Sequence, residues 1–306
     1  MDKPALPHGI YPYLVSPVNE DGSVREAELA RLVDDLVARG VHGVTPLGST
    51  GEVSFLNQRQ RMRIVEVTME AAAGRVPVVV GVAAFSTVDA VEQVRAYGRL
   101  GAGGIVLMRQ NAGPVSKEGT YDFFAKAALA TGAPIVLYTN PAILGTDFTI
   151  DTLARLIEIP NVRYIKDATS DTGRILSYIN RFGADLEVFS ASAHIPTFVF
   201  LLGGVGWMAG PACAIPEAAR KLFDLVRGGD IDGAMRLQRS IWPLNEAFRT
   251  YPLGACIKAA LAVRGYDVGD PVAPQAPLEA KVIREIEAAL EGADAALKTF
   301  DTRKDA

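Results

Sequence analysis

Short apolar runs alternate with amphipathic stretches along the first 227 residues of this 306-residue chain, and nothing else in the sequence restricts its fold so much. The runs are 10–15, 41–47, 76–82, 104–108, 134–138, 162–166, 186–189 and 205–209, and each is followed by a segment with helical spacing of apolar residues. The run 76–82 is continuously apolar and mostly valine, as a strand reads when both faces of a parallel sheet are covered. Ser23-x-x-Glu26, Asn57-x-x-Gln60 and Ser86-x-x-Asp89 read as helix-opening patterns, and Gly40, Gly74 and Gly101 as helix ends. Eight strand–helix units in about 225 residues predict an α/β fold, a closed (β/α)8 TIM barrel. A doubly wound open sheet is the alternative, weakened because no GxGxxG follows the first strand.

After Gly228 the strand pattern stops. Segments 230–250, 254–263 and 278–298 read as helices, and 269–277, with three prolines, as a connecting loop. The expected organisation is a barrel over 1–227 carrying the active site and a helical C-terminal extension over 228–306.

The charge balance excludes some partners. With 31 Lys and Arg against 35 Asp and Glu, the formal net charge is −4 and no basic stripe is present, so nucleic acid is not an expected partner. No apolar run approaches the ~18 residues of a membrane span, and Met1-Asp2-Lys3-Pro4 has no leader-like apolar stretch. Cys213 and Cys256 sit in apolar surroundings without CxxC spacing, which suggests buried free thiols in a reducing cytoplasm. The three histidines, His8, His42 and His194, are isolated from one another, so no metal site is expected.

In a parallel barrel the chemistry lies where strands end in strand-to-helix loops. Lys166 ends the sixth run, in Val162-Arg163-Tyr164-Ile165-Lys166-Asp167. A lysine held there is costly to keep charged, and a neutral amine is the form that attacks a ketone to make a Schiff base. The alternative is a lysine that snorkels to solvent. Gly48-Ser49-Thr50-Gly51 offers backbone N–H groups and two hydroxyls, a carboxylate cradle or an ordinary capped turn. Tyr138 ends the fifth run, where its phenol can serve a group bound to Lys166 or simply close the core. Asp167 falls on the opposite strand face from Lys166 and reads as loop-ordering. Lys258, in a helical pattern, reads as structural or ion-paired.

Gly48-Ser49-Thr50-Gly51-Glu52, Tyr138 with Asn140-Pro141 and Gly145, and Tyr164-Ile165-Lys166-Asp167-Ala168-Thr169 together resemble the dihydrodipicolinate synthase / N-acetylneuraminate lyase family. Leu202-Gly203-Gly204-Val205-Gly206 and Ile257-Lys258-Ala259-Ala260-Leu261 extend the likeness from about Gly9 to Leu290, nearly the whole chain. The resemblance implies a TIM barrel with helical extension, a homo-oligomer (tetramer or dimer), and class I lyase chemistry on pyruvate or another 2-keto acid. By position, Lys166 is then the Schiff-base lysine and Tyr138 the general acid/base. Ser49 and Thr50 bind the keto-acid carboxylate, Thr50 also joins the proton relay, and Met208 gives a backbone contact. No cofactor is needed, because the lysine itself is the electron sink.

The chain departs from the family pattern at several positions. Ile143 stands where dihydrodipicolinate synthases carry an arginine that grips the carboxylate of aspartate semialdehyde, and an isoleucine cannot hold a carboxylate. The family's tyrosine pair after the fourth strand is replaced within Met108-Arg109-Gln110-Asn111-Ala112, with Ala112 at the position of the tyrosine that crosses a subunit interface. Arg109, Gln110 and Asn111 are candidates for altered substrate contacts or a solvated loop, and Ser192 or His194 for contacts to a distal substrate group. The expected function is therefore a pyruvate-dependent aldolase or a 2-keto-3-deoxy sugar-acid dehydratase or aldolase. The alternatives are 4-hydroxy-tetrahydrodipicolinate synthase of lysine biosynthesis and a non-catalytic keto-acid binder. A phosphate-handling barrel is the poorest fit, since the loops after the last two strands lack a glycine-rich nest apart from Gly210.

Overall fold

The computed structural model describes residues 4–141, 145, 147–192 and 194–301. Among these residues, seven parallel strands form one sheet: β1 (Gly9–Pro12), β2 (Val79–Ala84), β3 (Gly104–Arg109), β4 (Ile135–Thr139), β5 (Val162–Asp167), β6 (Glu187–Ser190) and β7 (Gly206–Ala209). Their order is β1-β7-β6-β5-β4-β3-β2, so the chain walks round the sheet and returns to its start.

The gap between β1 and β2 is closed by the segment expected as the second strand. It makes only isolated bridges, Tyr13 with Thr45 and Val44 with Val78. Its backbone is nevertheless bonded on both sides: Thr45 N–H donates to Pro12 O at 2.9 Å, and Val79 N–H to Val44 O at 2.9 Å. A regular ladder fails here for local reasons. Pro46 has no N–H to give, and Leu47 turns left-handed with φ 59°. The barrel is thus closed by seven ladder strands and one irregular one.

Helices cover the outside. Asn57 forms the full capping box with Gln60, and Ser86 accepts from the Asp89 N–H. The Ser23–Glu26 box does not form. Ser23 bonds Asp21 instead, and the helix Glu26–Ala38 starts with no side-chain cap. After the barrel come the helices Ile231–Thr250, Leu253–Val263 and Ala280–Asp301. Cys213 and Cys256 are free and buried. Among the described residues, no helix is long and apolar enough to cross a membrane.

The barrel interior is filled by aromatic rings. Tyr11 and Tyr164 both pack on Phe189, with ring centroids 5.5 and 5.4 Å apart. Tyr164 is anchored by the Leu6 N–H at 2.8 Å and Tyr11 by Pro7 O at 2.7 Å. This plug leaves the next layer toward the strand ends for polar groups.

Candidate active site

That layer is built from the ends of neighbouring strands. Tyr138 on β4 is directly paired with Lys166 on β5, and Lys166 with Phe189 on β6, so all three point inward. Lys166 is only 5% exposed. Its Nζ lies 4.0 Å from the Tyr13 ring centroid and 4.3 Å from that of Tyr138. Burial lowers its pKa from the ordinary 10.5 to about 7. An amine with that pKa is substantially unprotonated near neutrality, the condition for nucleophilic attack on a carbonyl.

Tyr138 is buried, and burial raises its phenol pKa. Its hydroxyl accepts from Asn140 Nδ2 at 3.2 Å and is hydrogen-bonded to the Ser49 side chain, which favours the phenolate and opposes that rise. Ser49 therefore links the Gly48–Gly51 turn to the tyrosine. Thr50, 2% exposed, packs beside Gly210, where a Cβ would come within 2.6 Å of its Oγ1. The loop after β7 thus needs a glycine to pass Thr50. Met208 on β7 is fully buried and pairs with Tyr11. Lys166, Tyr138 and the Ser49–Thr50 turn come from three parts of the sequence and meet at one end of the barrel, whereas Met208 is level with Tyr11 of the aromatic plug.

Tyr13 was not singled out by the sequence pattern. It is almost fully buried, and its hydroxyl has no hydrogen-bond partner among the described residues. Burial, with Tyr138 adding to it, drives its pKa far up. The signal lay in the alternation Tyr11-Pro12-Tyr13, which sends both tyrosines into the barrel.

The remaining candidates lie around this centre. Arg109 ends β3 and is buried, with burial lowering its pKa. Leu107 pairs with Leu137, so Met108 is the residue level with Tyr138 and Arg109 takes the opposite face. Arg109 and Asn111 share a cavity of about 460 Å³ with Gly145, Asp147, Thr149 and Thr152. Asn111 is exposed and its Oδ1 accepts from the Gly113 N–H. Gln110 is held by Ser54. Ser192 is half-buried in the turn after β6. Ile143 lies outside the described residues.

His194 is engaged on both ring nitrogens: the Ala191 N–H points at Nδ1, and Nε2 lies against Thr169 O. Accepting at Nδ1 fixes the neutral ring with its proton on Nε2. Burial lowers its pKa. It ties the loops after β5 and β6 together. Asp167 faces away from the Lys166 side, accepts from the Thr169 N–H at 2.8 Å and pairs with Arg174 Nε at 2.8 Å. Lys258 pairs with Glu52, outside the barrel interior.

A closed parallel barrel with a desolvated strand-end lysine beside a buried phenol has the build of a class I, Schiff-base-forming lyase. A sequence profile of the dihydrodipicolinate synthetase family matches residues 6–293. The 4-hydroxy-tetrahydrodipicolinate synthase of Acidiphilium cryptum is 31% identical over 285 residues, 93% of this chain and 98% of that protein. Among solved structures, the chloride-inhibited dihydrodipicolinate synthase of Acinetobacter baumannii complexed with pyruvate superposes with TM-score 0.88 at 28% identity, covering 95% of this chain and 99% of that one. YagE, an Escherichia coli prophage protein of the dihydrodipicolinic acid synthase family in complex with pyruvate, gives 0.88 at 26%, over 95% and 99%. The chain belongs to the dihydrodipicolinate synthetase family of Schiff-base lyases.

Proposed function

We propose that the chain is a pyruvate-dependent aldolase or a 2-keto-3-deoxy sugar-acid dehydratase or aldolase. The observation that carries this is the Lys166 amine, buried between two tyrosine rings with its pKa lowered to about 7. The neutral amine attacks the C2 carbonyl of a 2-keto acid, and the carbinolamine loses water to leave an iminium on Nζ. The iminium draws electrons from C3, so that loss of a C3 proton or cleavage of the C3–C4 bond gives an enamine. Tyr138 takes or returns the proton, with Ser49 and Asn140 orienting its hydroxyl. The Ser49–Thr50 turn holds the carboxylate, and the Met208 backbone lies against the bound acid. Arg109, Asn111 and Ser192 belong to the surroundings of the distal substrate group. The barrel, 1–227, carries this chemistry and the segment 228–306 buttresses it, in a cytoplasmic homo-oligomer.

A second reading, 4-hydroxy-tetrahydrodipicolinate synthase, is favoured by the name of the Acidiphilium cryptum relative. Ile143 opposes it, since that reaction needs a cation for the carboxylate of aspartate semialdehyde. The test is to incubate the protein with pyruvate, reduce with borohydride and map the adduct. An adduct on Lys166 is expected, followed by cleavage or dehydration of 2-keto-3-deoxy sugar acids and no condensation with aspartate semialdehyde. No adduct with pyruvate or other 2-keto acids would overturn the lyase mechanism and leave a keto-acid binder. An adduct on Lys258 would refute the assignment of the lysine.

A further inference from the structure

Lys166 does not merely lie in an apolar pocket: it is sandwiched. Its nitrogen stands 4.0 Å from one ring centroid and 4.3 Å from another, contributed by strands on different sides of the barrel. Tyr138 has a task for its hydroxyl, which is bonded to Asn140 and Ser49. Tyr13 has none among the described residues. What fixes Tyr13 is the packing of its ring. Gly48 passes so close that a Cβ there would lie 1.9 Å from a ring carbon, and the residue is 1% exposed. The turn that opens the Ser49–Thr50 cradle is therefore shaped around this ring.

We infer that Tyr13 is a catalytic residue whose ring face stabilises the positive charge formed on the Lys166 nitrogen when the carbinolamine becomes an iminium. The inference rests on the Schiff-base reading above. In that step the nitrogen lone pair becomes the second bond of C=N⁺, and the carbinolamine oxygen leaves as water after gaining a proton. The free amine is neutral for much of its time near pH 7, whereas the iminium is cationic once formed. A ring face attracts the cation through its quadrupole and leaves the neutral amine almost unaffected, and the attraction is strongest where water is excluded. The burial that makes the lysine a nucleophile also opposes formation of a cation, and a second aromatic face offsets that penalty where, among the described residues, no carboxylate forms an ion pair with Nζ. The role belongs to the ring and not to the hydroxyl.

The experiment measures the fraction of Lys166 trapped by borohydride as pyruvate is raised, by intact mass, for wild type, Y13F and Y13M, with trifluorophenylalanine at position 13 as a fourth variant. Y13F keeps the ring and is expected to trap within twofold of wild type. Y13M fills similar volume without a ring and is expected to need about tenfold more pyruvate. Trifluorophenylalanine has nearly the shape of phenylalanine with a weakened quadrupole, so it should fall between the two, and this pair decides the matter if Y13M does not fold. Trapping by Y13M, or by the fluorinated variant where Y13M is unfolded, at the same pyruvate as Y13F would overturn the inference. So would a loss in Y13F as large as that in Y13M, which would move the role to the hydroxyl. Failure of the wild type to trap any 2-keto acid would instead remove the Schiff-base reading, and this inference with it.

Discussion

Glu52 and Lys258, 206 positions apart, form an ion pair with 2.7 Å between Oε2 and Nζ, both side chains at most 2% exposed. The pair is well supplied with further partners. Glu52 Oε1 accepts from the Val272 N–H at 2.7 Å and from Gln275 Nε2 at 2.8 Å, and Lys258 also donates to Asp270 O at 2.7 Å. Glu52 closes the Gly48–Gly51 turn in a left-handed conformation, φ 55°. The C-terminal helices therefore hold, through one buried carboxylate, the turn that carries Ser49 and Thr50.

Removing one member of that pair strands the other. K258M leaves the Glu52 carboxylate buried without its cation and is expected to cost about 3–5 kcal/mol of stability. The double variant E52Q/K258M should recover part of this, because no uncompensated charge remains. Urea unfolding of wild type, both single variants and the double variant gives the coupling energy. Additive costs would show that the two residues act independently.

A second buried charge lies behind Lys166. Asp167, fully buried, depends on Arg174 and the Thr169 N–H, and Arg174 also donates to Asp147 at 2.9 Å. R174M is expected to destabilise the fold by about 3 kcal/mol. Borohydride trapping at Lys166 should survive, because Asp167 faces away from the amine. Loss of trapping in a folded R174M protein would mean that this network positions Lys166.

In the proposed mechanism the Lys166 pKa of about 7 sets the pH dependence of Schiff-base formation. The neutral amine is the nucleophile, so the trapping rate at fixed low pyruvate should fall about tenfold per pH unit below 7 and level off above 8. A lysine at its ordinary 10.5 would instead keep accelerating through pH 9. Initial rates of adduct formation between pH 5.5 and 9 distinguish the two.

Much of this was legible in the sequence because it rests on local rules. Alternating runs and helix-opening residues such as Asn57 and Ser86 mark the barrel units, and a lysine ending an apolar run marks the centre. What escaped was set by tertiary context. The 41–47 run looks like its neighbours, yet Pro46 and the left-handed Leu47 leave it with isolated bridges. Ser23 satisfies the capping pattern but is taken by Asp21. Tyr13 looks like one more strand residue, and only ring closure brings it over Lys166, 153 positions later. Glu52 was visible as part of a motif, but its partner and the 270–275 loop were not, since nothing local announces a pairing across the whole barrel.

The same buried amine must register in the stability of the protein. Lys166 titrates at about 7 when folded and near 10.5 when unfolded, so between those values the unfolded chain binds one more proton. Stability from this residue therefore rises with pH across that window, and below pH 7 the full cost of burying the lysine is felt. In K166M an apolar side chain of similar length takes its place, and the slope disappears. The variant is expected to be more stable than wild type at pH 7 by roughly 4 kcal/mol, an advantage that shrinks by roughly 3 kcal/mol at pH 9.5. Urea unfolding of both proteins at the two pH values cancels the titration of tyrosines common to both. An advantage that stayed constant with pH would mean that Lys166 keeps an ordinary pKa, and the argument for a neutral nucleophile would fail.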